Sequence, residues 1–374
     1  MKAGWEIKSL GEVIQLEYGK PLPPEDRNPN GMYPAYGANG EKDRTDRFYR
    51  DYPSIIVGRK GSAGEITLTE DRFWPLDVTY FVEFDSQRHD LQFLYYLLVT
   101  LDLPKLAKGV KPGINRNEVY SLPVAVPTRT EQQRIVAILD QAFEGIATAK
   151  ANAEKNLQNA RQVVNWQLEK VFTDAGPGWI KKRLQDVCER ITDGTHQTPT
   201  YYNQGVVFLS SRNVTSGKID WDNIKYIDTK QHLEMHRRVA PRVGDILLAK
   251  NGTTGIAAMV DRDVVFDIYV SLALIRPLAC VLPAFLLHFI NSPVAKHQFN
   301  KRLKGVGVPN LHLQEIREVL VTFPESQQEQ EKVVKRLDAL QGEVGNLTNV
   351  YKRKLSALDE LKKSLLHQAF TGQL

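Results

Sequence analysis

Cysteine is nearly missing from this chain. Cys188 and Cys280 are the two in 374 residues, without metal-ligand spacing or the number a disulfide framework needs. Both are expected to be buried or incidental, in a reducing compartment. There is no apolar run of the roughly 18 residues a membrane span requires, and no basic-then-apolar leader at the N-terminus, so a cytoplasmic protein is expected. Signatures of catalysis are missing too. Gly58-Arg-Lys-Gly-Ser-Ala-Gly64 lacks the Gly-Lys-Ser/Thr ending of a phosphate-binding loop. His232-Leu-Glu-Met-His236 puts two imidazoles one helical turn apart, but its glutamate is one place too late for the zinc-protease pattern and no third ligand is indicated, which favours a surface helix. Asn28-Pro-Asn-Gly31 reads as a turn, with no aromatic after it to clamp a flipped base.

What is present is ordinary in bulk and unusual in order. With 42% hydrophobic and 25% charged residues, the chain suits about two soluble domains of roughly 100 to 200 residues each. The net charge of +5 is unevenly spread: residues 1–128 carry 16 basic and 18 acidic groups, residues 177–325 carry 19 and 14. Such a sum does not identify a DNA binder, because phosphate contact depends on a local basic face.

The order repeats. Gly4-Trp5, Leu10 and Val13 return as Gly178-Trp179, Leu184 and Val187 at an offset of 174. The 55–64 segment matches 246–255 at 191, Lys105-Leu-Ala-Lys-Gly-Val110 matches Lys301-Arg-Leu-Lys-Gly-Val306 at 196, and Glu131 to Asp140 match Glu329 to Asp338 at 198. The junction Val171-Phe-Thr-Asp-Ala-Gly-Pro-Gly-Trp179 is echoed when Ala369-Phe-Thr-Gly-Gln-Leu374 is read on into Met1-Lys-Ala-Gly-Trp5. Two duplicated domains are expected, with chain ends that meet; a solenoid would repeat every roughly 20 to 50 residues.

Between 130 and 172, Ile135, Leu139, Ala142, Ile146, Ala149, Ala153, Leu157, Ala160, Val164, Leu168 and Val171 recur every three or four residues, a narrow apolar seam on one long helix. At offset 198 the seam reads Val333, Leu337, Leu340, Val344, Leu347, Tyr351, Leu355, Leu358, Lys362, Leu366 and Ala369, broken only by Lys362. Each helix follows a proline, Pro127 or Pro324, with Thr130 and Ser326 as expected N-caps. At roughly 1.5 Å per residue the first is about 65 Å long, too long for one small globule. Antiparallel pairing as a coiled coil closes the connectivity. The preceding segments read as short strands, among them 54–57, 78–82, 206–209, 245–248 and 270–275, each set followed by a helical stretch, 90–101 or 283–299. The expected fold class is α+β: two similar globules separated by two long antiparallel helices, a pseudo-two-fold internal repeat.

Candidate binding residues fall on the shared loops. After an apolar strand, Arg59, Lys60 and Ser62, and in the second copy Lys250, Asn251, Thr253 and Thr254, present donors and hydroxyls on a glycine turn. Arg and Lys suit guanine edges, Asn suits adenine, and glycine admits the duplex backbone; a hairpin whose glycines merely adopt positive φ is the equal alternative. Lys108 and Lys304 could reach phosphates, or simply offset a helix dipole before a capping glycine. Lys111, Arg116 and His312 are further candidates for DNA contact, as are Ser211, Arg212 and Asn213, and the basic residues Arg237, Arg238 and Arg242, in the second globule.

These features together resemble the specificity subunit of type I restriction-modification systems. The resemblance covers essentially the whole chain: Gly-Trp-x-x-x-x-Leu-Gly-Glu-Val at 4–13 and its counterpart at 178–187, the strand-plus-glycine loops, Pro-x-x-x-Glu-Gln-Gln from Pro127, and Gln368-Ala-Phe-Thr-Gly-Gln-Leu374. Pro324-Glu-Ser-Gln-Gln-Glu-Gln is a looser helix entry. The resemblance implies target-recognition domains at 1–128 and 177–325 and helical spacers at 129–176 and 326–374. Each domain would read one half of a bipartite double-stranded DNA target, and the helices would dock two methyltransferase (M) subunits, with restriction or motor (R) subunits joining the complex. The chain itself would be no enzyme, would hold no metal and would bind no cofactor; S-adenosylmethionine, ATP and Mg would belong to the partners. A helical scaffold that organises proteins without reading DNA is the alternative, and an unnoticed nuclease or methyltransferase a further one.

Overall fold

The first unit contains, in chain order, β1 (Glu6–Ser9), β2 (Gln15–Tyr18), β3 (Tyr33–Gly37), β4 (Gly40–Thr45), β5 (Ile55–Gly58), β6 (Ile66–Leu68), β7 (Trp74–Pro75), β8 (Thr79–Glu83), α1 (Leu91–Thr100), α2 (Arg116–Tyr120), β9 (Pro123–Val126) and the start of α3 (Arg129–Thr173). The second contains β10 (Trp179–Arg183), β11 (Cys188–Asp193), β12 (Val206–Leu209), β13 (Lys225–Ile227), α4 (Thr229–Arg238), β14 (Ile246–Ala249), β15 (Ala257–Met259), β16 (Phe266–Ile268), β17 (Leu272–Pro277), α5 (Pro283–Ile290), α6 (Pro293–Asn300), α7 (Leu313–Arg317), β18 (Leu320–Pro324) and the start of α8 (Gln327–Phe370). The computed structural model describes residues 4–69, 72–303 and 310–374. Its contacts group Met1–Glu154 with Arg353–Leu374, and Lys155–Lys352 by themselves.

Strand for strand, the two units have one topology. A four-stranded antiparallel sheet has the order β2-β8-β5-β6 in the first and β11-β17-β14-β15 in the second. A three-stranded sheet, β4-β3-β7 or β13-β12-β16, combines one antiparallel and one parallel pairing, and the two-stranded ribbon β1-β9 or β10-β18 closes each unit. The second unit adds α4, which falls where the repeat offset grows from 174 to 191, and α6. The helical stretch read as continuous over 283–299 is two helices. Pro293 cannot donate to the preceding turn, and Ser292 starts the new helix by accepting from the Ala295 N–H at 3.2 Å.

The long helices complete both cores. In the first unit Ile135 and Leu139 of α3 and Leu366 and Ala369 of α8 are buried with Ile55, Val57, Val82, Phe93 and Leu97. Trp5, Phe370 and Leu374 pack against the same cluster, so the two ends of the described chain share one unit. Phe370 packs tilted against Phe93 with centroids 5.2 Å apart, and Phe172 meets Phe285 edge-on in the second unit at 5.5 Å. Fully burying such a side chain contributes about 1.5 to 3 kcal/mol. Pairing within the first unit is antiparallel: Lys150 meets Asp359 at 2.7 Å, and Arg134, earlier in α3, donates to the carbonyl of Leu374 at 2.8 Å.

The seam of α3 is at least half-buried at every expected position. In α8, Leu347 and Lys362 are exposed. Lys362 is nonetheless accounted for, because its ammonium lies 4.9 Å from the centre of the Phe143 ring, a cation–π contact. The N-cap expected at Thr130 lies two residues earlier, at Thr128: α3 begins at Arg129, and Thr128 offers its carbonyl to the Gln132 N–H. Gln132 and Gln330 explain the Glu-Gln-Gln entry. Both are fully buried; each accepts from a backbone N–H, Asp90 or Leu282, at 2.8 Å and donates to the carbonyl of Pro127 or Pro324. Cys188 is buried, and burial pushes its thiol up to about 12, whereas Cys280 is exposed. Among the described residues no helix is long and apolar enough to cross a membrane.

Candidate nucleic-acid interface

The two separate sequence elements of the first repeat meet in space. The 58–64 turn leaves β5, and the Arg59 N–H donates to the Val78 carbonyl while the Arg59 carbonyl accepts from Ile114 N–H at 3.1 Å. The Gly61 N–H donates to the Pro112 carbonyl at 2.9 Å, and Lys60 faces Gly113 in an antiparallel bridge. Gly109 does not cap a helix; it turns the 108–113 loop, which closes by reciprocal hydrogen bonds between Lys108 and Gly113. At Gly64, φ is +89° and a Cβ would lie 2.3 Å from the Pro104 nitrogen, so this position has no room for another residue.

Arg59, Lys60, Ser62, Lys108, Lys111 and Arg116 therefore share one edge of the unit. Lys60, Ser62 and Lys111 are exposed. Arg59 donates twice to the Asp77 carbonyl, at 2.6 and 3.2 Å, and Lys108 is paired with Glu118 at 2.7 Å. Sequence reasoning missed the residue between the arginines. Tyr18, 47% exposed at the end of β2, carries Arg59 at 5.3 Å and Arg116 at 5.2 Å from its ring centre. Its signal was an aromatic on the outward side of a half-buried strand. Tyr80 packs beside it at 5.1 Å, and burial, followed by the hydrogen bond with Tyr18, pushes its hydroxyl up to about 12. An open cleft of about 470 Å³ adjoins this group, lined by Tyr18, Tyr80 and 113–117.

The second unit has the same scaffold and different chemistry. The Leu311 N–H donates to the Lys250 carbonyl at 2.8 Å, and Asn251 bridges Asn310, the counterparts of the Ile114–Arg59 and Gly113–Lys60 contacts. Ser271 joins the third candidate segment: its carbonyl accepts from Lys250 N–H at 2.9 Å and its hydroxyl from Ser211 N–H at 3.0 Å. The Oδ1 atoms of Asn251 and Asn310 are buried and accept no hydrogen bond among the described residues.

Two expectations fail here. Lys250 does not project toward a ligand; its side chain is 8% exposed and its ammonium lies 3.2 Å from the Asp193 carboxylate. Burial alone would raise the pKa of Asp193, but hydrogen bonds from Arg238 and Lys250 outweigh it and hold the carboxyl below its ordinary range. Asn213 is likewise internal. It is 7% exposed, donates to the carbonyls of Asp220 and Asn223, and accepts from Ser210 N–H, so it holds a turn. Arg212, Thr253 and His312 are exposed, with Ser211 and Thr254 half-buried beside them. Lys304 lies outside the described residues.

A carboxylate from β16 meets the 232–236 pair. Asp267, 1% exposed, has one carboxylate oxygen 2.7 Å from His232 Nδ1 and the other 3.2 Å from His236 Nδ1.

Comparison with known proteins accords with this duplicated geometry. A family model described as the type I restriction modification DNA specificity domain matches residues 2–158 and again 177–353. The EcoBI type I specificity subunit of Escherichia coli is 26% identical over 171 residues, 46% of this chain and 36% of that protein. The chain thus spans little more than a third of that relative, whereas a putative type I specificity subunit of Mycoplasma genitalium aligns over 98% of this chain and 94% of its own length at 23% identity. Among solved structures, one concerned with complex assembly and conformational transition of the type I R-M system superposes with a TM-score of 0.79 over 100% of this chain and 99% of its own, at 19% identity. The HsdS subunit from Thermoanaerobacter tengcongensis gives 0.60 over 100% and 98%, also at 19%. With both units matched, this chain belongs to the type I restriction modification DNA specificity family and carries its domain twice.

Proposed function

We propose that this chain is the non-catalytic, DNA-reading subunit of a type I restriction-modification complex, each unit reading one half of a bipartite duplex target. The observation that carries the reading is one scaffold with two chemistries. In both units the glycine turn is hydrogen bonded to the segment before the closing strand. The first edge presents Lys60, Ser62, Lys111 and a Tyr18 ring between two guanidiniums; the second presents Arg212, Thr253 and His312, with Lys250 and Arg238 paired to Asp193 instead. A common frame with different side chains suits two different half-sites, because groove-edge donors and acceptors specify bases while backbone contacts only position.

In this reading the long helices set the distance between readers, which on one DNA face is about one helical turn, roughly 34 Å, or a multiple. They also dock two methyltransferase subunits, through which restriction or motor subunits join. S-adenosylmethionine, ATP and Mg are held by those partners, and methyl transfer and cleavage take place there. Mapping methylated adenines in DNA from cells expressing this chain with its methyltransferase tests the proposal. The expected result is one split target, with a single half changed when residues 1–128 are exchanged. Unchanged duplex affinity and site choice after Lys60→Ala and Asn251→Ala together would favour the protein scaffold instead.

A further inference from the structure

We propose that His232, His236 and Asp267 form a binding site for a divalent transition-metal cation of the zinc class, which fastens α4 to β16. The helix sets the first two ligands: residues four apart share a face, and both imidazoles turn Nδ1 toward the same carboxylate, their ring centres 4.7 Å apart. One ligand atom from each of the three residues falls within 4.8 Å of the others. Zinc bonds of roughly 2.0 to 2.2 Å in a tetrahedron place ligand atoms about 3.4 Å apart. The 3.2 Å separation of His236 Nδ1 and Asp267 is already close to that, and the 2.7 Å separation of His232 Nδ1 and Asp267 is about 0.7 Å short of it.

Charge favours the same conclusion. Asp267 is almost wholly buried, and among the described residues no lysine or arginine lies within ion-pair distance of it; the nearby Arg238 is committed to Asp193. Two imidazole nitrogens supply its hydrogen bonds, and a dication seated among the three groups would add a full counter-charge in a poorly solvated place. His232 and His236 side chains are 15% and 32% exposed, which leaves a route for entry and an open side for water ligands.

The first unit is an internal control. In the parallel strand pairing Ala35 faces Trp74, where the second unit has Phe208 facing Asp267, and no helix corresponds to α4. The two histidines and the carboxylate therefore occur together in one copy and are jointly missing from the other. The inference is independent of the DNA-reading proposal. Two histidines and one carboxylate with open positions suit zinc, cobalt or nickel rather than magnesium or calcium.

The test is titration of the untagged, chelator-stripped full chain with Zn²⁺ by calorimetry, with Co²⁺ absorption as a second probe and hydrogen exchange of 229–238 as a third. Expected are one site per chain of micromolar affinity or better, a visible Co²⁺ band, and slowed exchange in α4 on adding Zn²⁺. His236→Gln and Asp267→Asn should each weaken binding at least tenfold. No stoichiometric binding by the parent chain, or full affinity in both variants, overturns the site. If the variants do not fold, exchange in the parent chain decides: α4 exchange unaltered by Zn²⁺ overturns the proposal.

Discussion

Lys250 and Asp193 form an ion pair of 3.2 Å with both side chains under a tenth exposed, at the position where the first unit stacks Arg59 on Tyr18. The equivalence follows from register. Val57 pairs with Tyr80, which faces Tyr18, just as Leu248 pairs with Ala273, which faces Asp193. One scaffold position thus carries an aromatic under a guanidinium in one copy and a buried carboxylate under an ammonium in the other.

Lys250→Ala should behave as a stability mutation. It removes one of the two cations on a buried carboxylate, with Arg238 remaining at 2.8 Å, and losing such a charged hydrogen bond costs about 1.5 to 3 kcal/mol. Lys60→Ala, at the exposed neighbouring turn of the first unit, should alter stability by no more than about 0.5 kcal/mol while lowering the salt dependence of DNA binding by about one ion. Denaturant unfolding and binding at several salt concentrations separate the two effects.

Acid should loosen the second unit through Asp193. Its carboxyl is held below the ordinary value, so the stabilisation is present above roughly pH 4, where the unfolded carboxyl ionises, and is lost as pH falls through the lower folded value. Asp193→Asn should be less stable at neutral pH and show a shallower loss below pH 4, measured by urea unfolding across pH 3 to 7.

Tyr18→Ala removes the surface on which Arg59 and Arg116 lie. Methylation mapping should show relaxed or weakened recognition of one half-site only. Equal loss at both halves would place Tyr18 outside the reading edge.

Gln132→Ala and Gln330→Ala should each destabilise by about 1 to 3 kcal/mol, because each leaves a helix-start N–H of α1 or α5 and two carbonyls without their buried partner. Thermal melting checks this, and similar losses from the two variants are expected since the contacts are equivalent.

Lengthening α3 and α8 by one turn each should change the spacer of the DNA target and leave both half-sites intact. Sequencing of methylated sites reads the outcome directly, and an unaltered spacer removes the helices from the role of ruler.

Much of the fold was legible because it rests on periodicity. The three-and-four spacing from Ile135 to Val171 can bury one stripe only as a long helix, and its copy at offset 198 demanded a second. The glycine turns were visible as well, since Gly64 occupies a backbone region other residues avoid. The destination of individual cations was not. Arg59 and Lys250 look interchangeable in sequence, yet one is stacked at the surface and the other is buried, because a carboxylate on β11 and an aromatic on β2 decide it from across the sheet.

The amino-acid order by itself determined the duplication, the two helical seams and the loops worth watching, all of them local or periodic properties of the chain. Only the tertiary structure decided that Asn213 holds a turn, that Lys250 neutralises Asp193, and that Asp267 completes the histidine pair. Asn213 finds carbonyls 7 and 10 residues on, whereas the other two outcomes need side chains tens of residues apart to come within hydrogen-bond reach, where burial makes an unpaired charge too costly to leave alone.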